Sequence, residues 1–212
     1  MGRTFSGSMP FAGWQLPLPN GEWTVSAYIT VGTGENRSDA TFLSKIVGRQ
    51  LVGAVAFIGT EPKKEAGTGY RQYDPCMRKN LLHIEIRSNE EFGSQECWSI
   101  GHIDVKAWQQ DARESLLRAA MGDLSIRQVK VPHTLVSVHF RLADKNGYLN
   151  AFYFFNPEDE GITTTPVSSW QENDWYISYI NRYPEKVAYV QQLKRWGSGW
   201  LPKLKASFLE RS

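Results

Sequence analysis

Two pairs of β-rich runs are each separated by only a few turn-forming residues, and this spacing constrains the fold more than any other feature. ATFLSKIV and QLVGAVAFIG are separated by Gly48 and Arg49 alone, and a two-residue Gly-X connection predicts a hairpin with a type II′ turn. HTLVSVHFRLA and YLNAFYFFNP flank DKNG, in which Asn146-Gly147 is a strong turn signal. Because connections this short join antiparallel neighbours, we expect a mostly antiparallel sheet. Gly48 and Gly147 are both predicted to need backbone conformations that are costly for other residues.

Three further runs alternate between apolar and polar residues with the period of a half-buried strand. They are EWTVSAYITV, LLHIEIR at 81–87 and QECWSIGHIDV at 95–105. The Pro- and Gly-rich stretch at 11–21 is interpreted as an ordered loop, and the polar stretch at 60–80 as a long surface excursion.

Helical patterns occur in mid-chain and near the C-terminus. Residues 107–121 carry an apolar stripe at helical spacing, with Gly122 as a plausible C-cap. The SSWQENDWYISYINRY segment indicates a short helix, and Pro184 can open a final one. Gly197-Ser198-Gly199 and Pro202 are expected to break or kink that final helix.

Helices segregated from hairpin-connected strands predict an α+β fold. The expected architecture is a mostly antiparallel sheet packed with a mid-chain helix and C-terminal helices. We expect one domain over residues 16–212, preceded by a disordered or expression-derived N-terminus at 1–15. Residues 1–10 lack the apolar core of a signal peptide, so a signal is expected to have been removed.

Aromatic residues make up 13% of the chain, with 8 Trp, 9 Tyr and 10 Phe. Aromatic rings fill cores, and they also line carbohydrate and peptide clefts. The net charge is only +2, so we expect no nucleic-acid partner. The basic residues near the C-terminus are predicted to form a solvated helix face; they are Lys186, Lys194, Arg195, Lys203, Lys205 and Arg211. No apolar run reaches the length of about 18 residues that marks a membrane span, so no transmembrane segment is expected.

The only two cysteines, Cys76 and Cys97, flank strand material and predict a disulfide. Such a bond would place the protein outside the reducing cytosol. The alternative is a cysteine nucleophile assisted by His83 or His102. The second cysteine favours the structural bridge.

Two histidines each have a carboxylate two positions further on in a predicted strand. His83 with Glu85, and His102 with Asp104, could each form an oriented general base. Each pair could equally be a cross-face salt bridge or a solvated pair. If both pairs converge on one face they could bind a metal, although the chain has no HxH, HExxH or CxxC pattern. We therefore predict no metal and no cofactor.

Two other features are interpreted as unremarkable surface. His139 is in phase with polar neighbours on its strand and is predicted to be a surface or edge residue. Glu158, Asp159 and Glu160 follow a strand and could bind calcium, but they lack the oxygen spacing of an EF-hand loop. A solvated turn is the expectation.

Several segments resemble a group of exported proteobacterial proteins of uncharacterised function. They are the opening LPLPNGEWTV, the Cys76 and Cys97-Trp98 arrangement, YLNAFYFFNPEDEG and RWGSGW. The resemblance spans most of residues 16–204 and implies a periplasmic or secreted protein with a disulfide. It carries no catalytic residues to transfer.

The sequence supports two classes of function. The first is a non-catalytic envelope or secreted protein that binds a small molecule or protein partner through an aromatic surface. The alternative is a hydrolase or transferase that uses the face carrying His83, Glu85, His102 and Asp104. Convergence of these four side chains in a cleft would favour the enzyme.

Overall fold

Eight antiparallel strands form one sheet in the computed structural model, which describes residues 2–32, 37–60, 67–106, 115–167 and 169–210. The strands are β1 (Thr4–Phe11), β2 (Trp14–Val31), β3 (Ser38–Val47), β4 (Gln50–Gly59), β5 (His83–Asn89), β6 (Gln95–Asp104), β7 (Thr134–Ala143) and β8 (Tyr148–Phe155). Their order is β1-β2-β3-β4-β8-β7-β6-β5. Two four-stranded meanders therefore meet where β4 pairs with β8.

A helix packs against each face of this sheet, which confirms the predicted α+β fold. Helix α1 (Ser115–Ile126) follows β6, and helix α2 (Pro184–Leu209) ends the chain. Strand side chains alternate between the two faces. Val136, Val138 and Phe140 belong to the core beneath α2, whereas Leu135 belongs to the core beneath α1. We call these the α2 face and the α1 face.

Both predicted hairpins are present, but the backbone at each turn differs from the expectation. Gly48 has φ +55° and Arg49 has φ +67°, so positive φ at both positions gives a type I′ turn rather than type II′. Gly147 does not have a positive φ. Its loop is closed instead by Asp144, whose Oδ1 accepts from the backbone N–H of Asn146 at 2.7 Å and of Gly147 at 3.1 Å.

The N-terminal region is more regular than its Pro and Gly content suggests. Thr4–Phe11 form β1, so these residues are an edge strand, although residues 1–15 were expected to be disordered or expression-derived. The stretch at 11–21 belongs largely to β2 rather than to a loop. Within β2, only Thr24–Val31 pair with β3, so the first half of β2 has one paired edge and tolerates Pro17 and Pro19.

The helices also differ from the sequence interpretation. Helix α1 continues through Gly122 to Ile126, so Gly122 is not its C-cap. The part of the predicted helix at 107–114 lies outside the described residues. The predicted short helix beyond Ser169 is reduced to two 3₁₀ turns, Trp170–Glu172 and Ile180–Arg182.

Helix α2 runs without interruption through the expected break. Its buried side chains include Leu193, Leu201 and Leu204. Burial of large apolar side chains stabilises by about 1.5–3 kcal/mol each. Several such contacts outweigh the cost of a helical proline, about 3 kcal/mol, and of a helical glycine, about 1 kcal/mol.

Gly197 lets α2 approach the sheet closely. A Cβ added at this position would lie 2.5 Å from Cζ3 of Trp98, a buried β6 side chain. A Cβ added at Gly199, two residues further along the same helix, would meet nothing within 4 Å. The close helix–sheet contact therefore requires glycine at position 197 but not at position 199.

We expect Gly197→Ala to destabilise the protein by about 1–3 kcal/mol, because the methyl group overpacks the contact with Trp98. Gly199→Ala is the matched control and should be stabilising by up to about 1 kcal/mol, because alanine is the better helix former. Urea unfolding of both variants measures the difference. Equal effects of the two substitutions would contradict the close helix–sheet contact.

Candidate functional site

His83 and Glu85 lie side by side on the α2 face of β5, and each is engaged with Trp98. The Trp98 Nε1–H donates to Glu85 Oε2 at 2.9 Å, and this bond is the main cause that lowers the pKa of Glu85. The His83 ring lies 4.4 Å from the Trp98 ring, centroid to centroid. Its Nε2 is buried without a hydrogen-bond partner among the described residues. Burial, reinforced by Lys194, lowers the pKa of His83.

His102 is held by Trp170 from the first 3₁₀ turn before α2. Their rings stack with centroids 4.6 Å apart. The Trp170 Nε1–H donates to the His102 carbonyl at 3.0 Å, and His102 Nε2 lies 3.3 Å from the Trp170 carbonyl. Burial lowers the pKa of His102 to about 4, although the Trp170 carbonyl and the charge of Asp104 act in the opposite direction. These contacts anchor the segment before α2 to the sheet.

The two His–carboxylate pairs share a face but have different partners. His83 pairs with Ile100 across the β5–β6 ladder, so His102 lies two residues further along the same face. The hydrogen-bond partners of Glu85 are Trp98 and Arg87 rather than His83, and His102 Nε2 faces the Trp170 carbonyl. The described part of the chain also groups no three His, Cys, Asp or Glu side chains that could hold a metal. The catalytic alternative therefore stays a prediction.

Cys76 and Cys97 form the predicted disulfide, with Cα atoms 6.1 Å apart. Cys76 lies in a 3₁₀ turn of the excursion and Cys97 on β6, opposite Arg141 of β7. The bond ties residues 67–80, which we call the covering segment, to the α1 face of β6 and β7.

His139 and Arg141 lie beneath the covering segment, and the prediction that His139 is a surface residue is wrong. His139 stacks on Phe152 with ring centroids 4.0 Å apart, and Tyr73 of the covering segment packs across it at 5.6 Å. Burial lowers the pKa of His139 to about 3. The alternation of side chains along β7 shows that His139 and Arg141 share a face of the sheet. It does not show that the covering segment, which is distant in sequence, lies over that face.

A second buried charge corrects the prediction that Lys186 is solvated. Its Nζ donates to Asp174 Oδ2 at 2.5 Å, and the two side chains are only 2% and 5% exposed. Nζ also lies 4.4 Å from the centroid of the Tyr183 ring. Burial alone would raise the pKa of Asp174, but Lys186 and the Thr165 N–H hold it below its ordinary value. The pair fixes the segment that precedes α2.

An aromatic cleft opens on the α2 face at the ends of β4 and β8. Its volume is about 150 Å³, and its walls include Trp23, Gly53, Tyr153 and Phe155. The Trp23 indole is fixed by a 2.7 Å hydrogen bond from Nε1 to the Pro19 carbonyl. A Cβ added at Gly53 would lie 3.2 Å from the Phe154 carbonyl oxygen and 3.4 Å from that ring, so the close approach of the β8 backbone favours glycine here.

Two opposite charges border this aromatic cleft. The Lys45 ammonium donates to the Asn20 carbonyl at 3.1 Å and lies 6.0 Å from the centroid of the Trp23 ring. Asp159 is exposed in the 3₁₀ turn Pro157–Glu160, where the sequence predicted a solvated acidic turn. The aromatic composition fits rings in a core as well as rings in a cleft, and it gives no position for a cleft.

Comparisons with known proteins give no relative: no family model, no curated protein and no solved structure matches this chain. None of the helices in the described ranges is both long and apolar enough to cross a membrane.

The buried histidines predict a loss of stability in mild acid. They are neutral in the folded protein, so their contribution is complete above about pH 6.5, where the unfolded histidines are also neutral. This contribution to stability falls as the pH drops from 6.5 towards the pKa values in the folded protein, which are about 4 for His102 and about 3 for His139. Each contributes a slope of up to about 1.4 kcal/mol per pH unit.

The melting temperature should therefore fall as the pH is lowered from 8 to 5, and it should fall less steeply in His102→Gln. His133→Gln is the control against which the slope of His102→Gln is compared, because it makes the same substitution at an exposed histidine. A melting temperature that stays constant over this range would contradict the neutral, buried state of these rings.

Proposed function

We propose that this protein is an exported, non-catalytic binding domain that holds one group of a larger ligand or protein partner in the aromatic cleft. The observation that carries the proposal is the cleft itself: rings from Trp23, Tyr153 and Phe155 converge beside Lys45 and Asp159. Ligand sites are mostly apolar concavities with a few placed polar groups, and this composition fits that description.

The size of the cleft limits what it can hold. About 150 Å³ is below the range of roughly 300–1,000 Å³ that encloses a drug-sized molecule, and about the volume that admits a benzene ring. One aromatic ring or one large aliphatic side chain therefore fits. The remainder of the ligand would lie outside, over the charged border.

The walls of the cleft are held in place before any ligand arrives. Tyr153 OH donates to the Pro17 carbonyl at 3.2 Å, and burial raises the pKa of this phenol, so it stays neutral. The Phe155 ring packs edge-on against Trp196 of α2 at 5.0 Å. A preformed cleft loses little side-chain entropy on binding.

The test uses two probes that carry the same ring and opposite charges, N-acetylphenylalanine and phenylalaninamide. The protein is labelled with 5-fluorotryptophan, and the Trp23 signal is assigned by its loss in Trp23→Phe. We expect both probes to shift this signal saturably. Lys45→Gln should weaken binding of the anionic probe, and Asp159→Asn binding of the cationic probe, each by up to about fivefold, as loss of one exposed ion pair implies.

Glu160→Gln provides the matched control. Glu160 is exposed and adjacent to Asp159 in the same turn but does not line the cleft. It should bind both probes as the unmodified protein does. A Trp23 signal that neither probe shifts at millimolar concentration would overturn the cleft as a binding site.

The disulfide supports export, because structural disulfides persist in oxidising compartments. We expect protein made in the periplasm of a bacterial host to contain no thiol that reacts after denaturation without reduction, and two after reduction. Closing a loop of 21 residues should stabilise it by about 3 kcal/mol, so Cys76→Ser/Cys97→Ser should unfold at lower urea concentration. Two reactive thiols before reduction would contradict the periplasmic or secreted assignment.

A further inference from the structure

Arg141 is a buried cation on the α1 face of β7. Its residue is 4% exposed, beneath the covering segment that the Cys76–Cys97 disulfide holds against β6. A guanidinium stays protonated even when buried, so it needs compensation for the water it has lost. Buried charges in proteins are normally paired with an opposite charge.

The described contacts of this guanidinium are all with neutral groups. Nε donates to Gln95 Oε1 at 2.9 Å, and Nη1 makes a long 3.5 Å contact with Asn150 Oδ1. The rings of three tyrosines surround it at 4.5–5.7 Å from the guanidinium carbon; they are Tyr70, Tyr73 and Tyr148. No carboxylate in the described ranges forms an ion pair with it. Three of its five N–H donors, including both on Nη2, have no described acceptor.

Two of the three tyrosine hydroxyls are bonded to other side chains. Tyr70 OH lies 3.0 Å from Thr60 Oγ1, and Tyr148 OH lies 2.9 Å from Ser38 Oγ. Gln95 is committed as well, since its Nε2 donates to the carbonyls of the covering segment and holds the amide in place. The cation is therefore fixed in position by neighbours that leave three of its N–H donors without an acceptor among the described residues.

An exposed arginine, Arg78, adds positive potential here: it lies two residues after Cys76, whose disulfide partner Cys97 pairs with Arg141 across β6 and β7. His139 lies on the same face as Arg141, two residues earlier in β7, and its Nε2 is 3.3 Å from the same Asn150 Oδ1. Besides burial, the charges of Arg141 and Arg78 both disfavour protonation of its ring. Arg78 is exposed at the end of the covering segment. One buried and one exposed arginine thus act on the same small region.

We propose that Arg141, with Arg78 at the rim, binds a small oxyanion beneath the covering segment. The ligand class is a carboxylate or a phosphate, either of which can accept two parallel N–H donors from a guanidinium. This site lies on the α1 face, opposite the aromatic cleft, and does not depend on the function proposed for that cleft. The disulfide beside Arg141 fixes the cover over the site.

The test observes Arg141 directly in protein labelled with ¹⁵N-arginine. The buried Nε–H of Arg141 is assigned by its loss in Arg141→Lys. Sodium phosphate and sodium acetate are titrated separately at pH 7, with sodium chloride used to hold the ionic strength constant. We expect one or both oxyanions to shift the Nε–H resonance saturably; the anion with the lower dissociation constant identifies the ligand as a phosphate or a carboxylate.

Two surface variants that keep Arg141 in place allow the proposal to be tested even if Arg141→Lys does not fold. Arg78→Gln and Lys79→Gln each remove one exposed positive charge from adjacent positions. Arg78→Gln should raise the dissociation constant at least threefold, and Lys79→Gln should leave it within twofold. An Arg141 resonance that responds to neither oxyanion, or equal effects of the two variants, would overturn the proposal.

Discussion

The arrangement of the α2 face depends on the contacts made by the indole of Trp98. The indole packs against Gly197 of α2, stacks on Phe140 at 5.9 Å and donates a hydrogen bond to Glu85 of the edge strand β5. One side chain therefore links the helix, the centre of the sheet and its edge. Because a Cβ at position 197 would displace this ring, a glycine is required where the helix approaches the sheet most closely. The residues selected as catalytic candidates, His83 and Glu85, are neighbours of this contact and take part in it.

Buried polar groups fix the parts of the chain that have no regular structure. The Lys186–Asp174 ion pair holds the 3₁₀ turns before α2, and His102 stacks on Trp170 in the same region. On the opposite face, Gln95, Arg141 and the disulfide hold the covering segment. Such groups are costly to bury unless their partners are present, so they favour one arrangement of these segments over many. The same property makes Arg141, whose outer donors lack described acceptors, a candidate for binding an anion.

The sheet separates two candidate sites with different chemistry. The aromatic cleft on the α2 face offers apolar area with one positive and one negative charge at its border. The region around Arg141 on the α1 face offers buried positive charge among aromatic rings. Both use aromatic side chains, which accounts for part of the high aromatic content without assigning all of it to the core. Neither site uses His102, whose ring and carbonyl are occupied by Trp170.

Local sequence determined the hairpins, the disulfide and the α+β class, because alternation, short turns and cysteine spacing are properties of neighbouring residues. It did not determine the type I′ turn at Gly48-Arg49, the strand at Thr4–Phe11 or the continuous α2, since strand pairing and apolar burial overrode the local signals of Gly and Pro. The candidate sites were less accessible to sequence reasoning. Which face His139 and Arg141 occupy follows from alternation, but their burial depends on a segment about 65 residues earlier that folds over them. Likewise, the aromatic cleft joins β2, β3, β4 and β8, and only tertiary packing brings those residues together.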